Sequence, residues 1–157
     1  MKDLERNGLN CKEFAFAPRR TGNGQNAYSR RGVRGAGGLG VRGNALWDPV
    51  EKVRMLTSNG DDRLKGDSTK GKRAHISGEV DGQATGIAVF IHPDNFRFPQ
   101  PLRLDPKNPQ LCIAPSQDGD WRIEPGNPYV SKYRFIVCDG VADAAMLDGA
   151  WKCVNGG

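Results

Sequence analysis

The chain has 157 residues, a net charge of +5 and 37% apolar residues. That length suits one domain of ordinary size, and the apolar share falls below the roughly 45–50%, glycine included, of a typical soluble domain. With 21 glycines and 10 prolines, turns dominate, which argues against a helical bundle and for a β architecture. No apolar run approaches the about 20 residues of a membrane-spanning helix, and no hydrophobic segment follows Met1, so neither a signal peptide nor a membrane partner is expected.

The positive charge is concentrated before residue 43, where only Asp3, Glu5 and Glu13 oppose it. A basic arm of this kind can touch nucleic acid. Its Gly, Arg, Asn and Ser composition between Arg19 and Gly40 reads instead as a solvated segment that cannot bury a core, and nucleic acid is not expected as a partner. Residues 1–36 are therefore expected to be irregular, with only a short apolar piece at Phe14 to Phe16, and residues 37–157 to form the domain. Gly35, Gly37 and Gly40 spell G-x-G-x-x-G, but no apolar strand precedes them and no helix follows, so they are not a dinucleotide fingerprint. The four cysteines, Cys11, Cys112, Cys138 and Cys153, are scattered without a C-x-x-C pair. Cys112 and Cys138 sit in apolar runs and read as small core residues. With only His75 and His92 besides them, no metal site and no cofactor is expected. No N-x-S/T glycosylation acceptor is present.

From residue 39 the texture changes. Leu39 to Arg42 suits a short strand. Val50 to Thr57 alternates with Val53, Met55 and Thr57 on one face, as a half-buried strand does. Ser58 to Lys72 is polar, with a turn at Asn59-Gly60. Arg73 to Val80 is expected as a strand broken at Ser77-Gly78, and Asp81-Gly82 as the hairpin turn into Thr85 to Ile91. Ile87 to Ile91 is an apolar run bounded by turn residues, the pattern of a buried strand. After it, Pro101 to Pro109 is extended, Gln110 to Ala114 a strand, Pro115 to Asp120 a loop and Trp121 to Glu124 a strand. Pro128 to Asp139 is the clearest strand. Tyr129, Tyr133, Phe135 and Val137 lie on its core face, while the other face, with Ile136 and Cys138, is mixed. One helix closes the chain, capped by Asp143, with Leu147, Ala150, Trp151 and Val154 at i, i+3, i+4 and i+7.

The loop after Ile91 holds the best candidates for chemistry. His92 is placed to act as an acid or base near neutral pH, with Asp94 to orient it. Arg97 and Arg103 present planar forks of donors to a hydroxyl or carboxylate. Asn95 and Gln117 can donate and accept, and Trp121 and Phe96 can stack on a sugar face. The opposing reading makes His92-Pro93-Asp94-Asn95 a structural turn, because Asp and Asn cap turns and Pro fixes them.

Several phrases recur in a familiar order: Gly37 to Arg42, Gly71 to Ala74, Ser77 to Gly82, His92 to Pro101, Ile113 to Trp121, Ile123 to Phe135 and Asp139 to Trp151. Together they resemble, over about residues 37–152, the C-terminal half of a bacterial family labelled PmoA or methane oxygenase PmoA. The resemblance implies an all-β antiparallel sandwich of the mutarotase-like supersandwich type. It also implies that N-terminal strands are missing, so that this chain is an incomplete sandwich or fragment with exposed sheet edges prone to self-association. Literal methane oxidation does not follow, since the chain has no membrane span and two distant histidines are not a copper site. The expected function is binding of, or acid/base chemistry on, a sugar or polyol. The alternative is a noncatalytic structural or interaction domain.

Overall fold

In a computed structural model, the described residues are 38–121 and 123–155, together with the backbone pairing of 3–6, 9–16 and 19–20. They form an antiparallel β-sandwich with one C-terminal helix. The first sheet runs in the order β1 (Asp3–Arg6), β2 (Leu9–Phe16), β12 (Tyr133–Asp139), β8 (Gln83–Ile91), β7 (Arg73–Val80), β5 (Val53–Thr57). The second runs β4 (Leu39–Arg42), β10 (Gln110–Ile113), β9 (Gln100–Leu104), β6 (Lys70–Gly71). A two-stranded ribbon joins β11 (Tyr129–Val130) to β3 (Arg19–Arg20). Helix α1 spans Ala144–Asn155.

Alternation along each strand sorts its side chains between two cores. Met55, Ile76, Val89, Ile91 and Tyr133 face the second sheet and meet Leu102, Leu104, Leu111 and Ile113 there. Leu56, Ala88, Phe90, Ile136 and Cys138 face the other way, under Ala142 and Leu147 at α1. Ile87 to Ile91 is uninterrupted because the sheet is covered on both sides, so neither parity has to be polar. The mixed face of β12 has the same cause: Ile136 and Cys138 are buried beneath the helix.

The β7–β8 hairpin turns at Asp81-Gly82, both with positive φ (52° and 77°), as a type I′ turn requires. The helix cap forms as expected, the Met146 N–H donating to Asp143 Oδ1 at 2.8 Å and so satisfying one of the free donors of the first turn.

Other expectations are corrected. Strand β7 is unbroken at Ser77-Gly78. The missing Cβ of Gly78 makes room for the Trp47 indole, whose N–H donates to Glu79 O at 2.9 Å. Val50–Lys52 forms a 3-10 turn before β5 starts at Val53. The described residues of 121–124 form no strand, and Trp121 packs instead on Phe96 and Tyr129. The strand expected from Pro128 to Asp139 is interrupted at Ser131-Lys132, where Lys132 bonds across to the loop of residues 92–99. Cys138 is disulfide-bonded rather than a plain core thiol. The backbone register sets Cys11 opposite it, while Cys112 and Cys153 are thiols outside any disulfide. Residues 1–36, expected to be irregular, contain β1, β2 and β3, and β2, which includes Phe14 to Phe16, pairs with β12 in the first sheet; Gly35 and Gly37 of the glycine motif lie outside the described residues.

Candidate functional site

The loop of residues 92–99 leaves the end of β8 and is tied at three places. The first tie is to Lys132. The His92 N–H donates to the Lys132 carbonyl at 3.2 Å. Asn95, which is buried, donates to the same carbonyl at 2.8 Å and accepts from the Lys132 N–H at 2.7 Å. Its amide thus pairs with the backbone as a neighbouring strand would. The second tie is Arg97, held at φ 61°. Its guanidinium donates to the carbonyls of Pro115 (2.6 Å), Gly119 (2.9 Å) and Asp120 (3.3 Å). The third is Gln100, fully buried, which donates to Phe96 O at 2.7 Å and accepts from the Tyr133 hydroxyl at 3.1 Å. Desolvation keeps that phenol protonated, well above the ordinary tyrosine range.

His92 is half-buried. Its Nδ1 accepts from the Asp94 N–H at 3.1 Å, and the Asp94 carboxylate lies 3.5 Å from the same nitrogen. That carboxylate also pairs with Lys132 Nζ at 3.2 Å and is 68% exposed. Asp94 thus lies beside His92 within a surface turn, but the nitrogen that faces its carboxylate is already the acceptor of the Asp94 N–H.

Arg103 is not brought to this loop. It points from β9 to Asp67 (3.4 Å) and Asp105 (3.7 Å). The carboxyl of Asp105, although partly desolvated, is held below the usual carboxylate range by the N–H groups of Lys107 and Asn108.

Gln117 and Trp121 do come together with the loop, because Arg97 clamps the 115–120 segment to it. Phe96 lies 5.2 Å from the Trp121 ring and 6.4 Å from Tyr129; Trp121 and Tyr129 are 4.7 Å apart, edge to face. The Arg97 guanidinium covers Phe96 at 4.7 Å. Phe96 is 40% exposed, so the cluster opens at the surface. Within it Trp121 Nε1 and the Tyr129 hydroxyl are shielded and have no hydrogen-bond partner, and the same holds for Gln117 Oε1 on the clamped segment. Such orphaned groups are rare in folded proteins and call for an explanation.

Tyr129 was assigned to the core by the alternation of its strand; Pro128 before it and Ser131 after it mark the break that frees it for the cluster. Among the described residues no group of three or more His, Cys, Asp or Glu is placed to hold a metal ion. No helix among them is long and apolar enough to cross a membrane.

Comparison with known families decides the kinship. Residues 19–152 match the family of unknown function DUF6807. The chain belongs to DUF6807. The resemblance to a PmoA family is thereby corrected: the phrases that suggested it lie within the span matched by DUF6807, and no PmoA family is found. No curated protein and no solved structure matches the chain. What membership in DUF6807 supports is an uncharacterised β-sandwich protein, without an activity attached.

Proposed function

We propose that the Phe96–Trp121–Tyr129 cluster binds a carbohydrate or polyol without performing chemistry on it. The observation that carries this reading is a partly exposed aromatic cluster holding two unpartnered polar groups, the Trp121 indole N–H and the Tyr129 hydroxyl, with a third, Gln117 Oε1, on the segment that Arg97 clamps to the loop. An aromatic face suits the C–H face of a sugar, and hydroxyls both donate and accept, so one polyol can answer donors and acceptors alike. Each orphan costs about 1–3 kcal/mol when left unmade, which a bound hydroxyl would recover in part. Acid/base chemistry is the weaker form of the idea, because His92 and Asp94 are engaged with their own turn and with Lys132.

The test is titration of monosaccharides, oligosaccharides and alditols, followed by tryptophan fluorescence and thermal shift. Trp121→Ala and Phe96→Ala are each expected to weaken binding by about tenfold, while His92→Ala leaves it unchanged. If no member of the panel shifts either signal, the reading fails. A second reading, a noncatalytic structural or interaction loop, would then hold; the three backbone carbonyls bound by Arg97 and the paired amide of Asn95 favour it.

A further inference from the structure

A buried histidine outside the candidate site carries an inference of its own. His75 is 1% exposed on β7, and neither ring nitrogen has a partner. Its register neighbours are Leu56 on β5 and Ala88 on β8, both in the cluster closed by Ala142 and Leu147. The imidazole lies over Gly86, where an added Cβ would come within 2.6 Å of Nε2. The glycine leaves room for the ring and nothing for it to bond to.

The charges around it are mostly cationic. Arg54 on β5 and Arg73 on β7 both disfavour a proton on His75. On β8 the neighbours on this face are Gly86, Ala88 and Phe90, none of them charged. Arg134 lies on the same face of β12. Glu79 shares this face of β7 but is exposed four residues along, and two further acids are on the helix side. Asp148 is already taken by Arg73 Nε (3.0 Å) and Lys72 (3.3 Å), and Asp143 caps the helix.

We propose that His75 is an acid-sensitive latch, whose protonation frees helix α1 from the sheet and loosens the 92–99 loop. A charged imidazole here has no acceptor within the packed structure, and lifting the helix gives it water. Helix and loop are joined through Trp151, which stacks on Phe98 (6.3 Å between centroids) and donates to Ile91 O at 3.3 Å. Burial is the main cause that lowers the His75 pKa, to about 4, and the two arginines add to it. Against an ordinary value near 6.5, the proton prefers the opened state by roughly 300-fold. The Arg73–Asp148 bridge does not act first, since its hydrogen bond holds the Asp148 carboxyl below the usual range.

The experiment is amide exchange of residues 144–155 and 92–99 at pH 7, 6, 5 and 4, corrected for intrinsic rates. The opening constant is expected to rise from pH 6.5 downwards, by on the order of 100-fold between pH 7 and pH 4, still short of its limit of about 300-fold. His75→Leu is expected to remove the rise. Arg54→Gln, at an exposed position, is expected to shrink it, and it decides the matter should the leucine variant not fold. Flat exchange across this range in the wild type overturns the proposal, as does an undiminished rise in either variant. None of these outcomes depends on whether the aromatic cluster binds a sugar.

Discussion

Gly78 and Gly149 show how differently one residue type is used. A Cβ at Gly78 would lie 2.6 Å from Cδ1 and Cε2 of Trp47, and the indole cannot retreat because its N–H is bound to Glu79 O. Gly78→Ala is therefore expected to cost about 1–3 kcal/mol through overpacking, lowering Tm by several degrees. Gly149 faces open space within α1, so Gly149→Ala is expected to raise stability by up to about 1 kcal/mol, the helix-propensity difference. Thermal unfolding of the two variants checks both signs. A fall for Gly149→Ala, or no change for Gly78→Ala, would contradict the packing described. The same scale shows why the candidate site was only partly legible. Residue types point to the polar loop, but the use of each polar atom depends on partners far along the chain. Arg97 is spent on carbonyls 18 to 23 residues away, and Arg103 on Asp67 and Asp105. His75 carried no signal in a sequence that reads its strand as broken.

At the scale of elements, legibility follows periodicity. Strands β5 and β12 and helix α1 are visible because burial imposes a period of two or 3.6 on their side chains, and β8 because its apolar run is bounded by turn residues. What was missed lies where tertiary contact overrides local pattern, as at Trp121, where aromatic packing replaces sheet pairing. Cys138 is another case, since its place in an apolar run said nothing of a covalent bond. With four cysteines in the chain, Cys138 disulfide-bonded and Cys112 and Cys153 outside any disulfide, denatured protein should titrate with two thiols before reduction and four after it. Reduction is also expected to lower stability by about 2–4 kcal/mol, the usual range for a disulfide. Four thiols without reductant would refute the bond that joins β12 to another part of the chain.

For the whole molecule, His75 sets the response to acid. Its folded-state pKa, about 4, lies below the ordinary value of about 6.5, so the unfolded chain binds the proton more tightly. Stability is then full above pH 6.5 and falls as the pH drops towards 4. The total loss is about 3 kcal/mol, since one pKa unit corresponds to 1.36 kcal/mol. That is a large part of the roughly 5–15 kcal/mol that holds an ordinary domain together. Asp105 and Asp148, whose carboxyls are held below the usual range, keep their contribution through this window and lose it only at lower pH. Urea unfolding at pH 7.5, 5.5 and 4 isolates the histidine phase from the carboxylate phase below it. The midpoint is expected to fall between the first and last values in the wild type and to stay level in His75→Leu. If α1 has already left the sheet at pH 4, less surface remains to be exposed and the slope m falls with the midpoint. A midpoint that falls with m unchanged would mean that acid unfolds the sandwich as one unit, with the helix attached until the end.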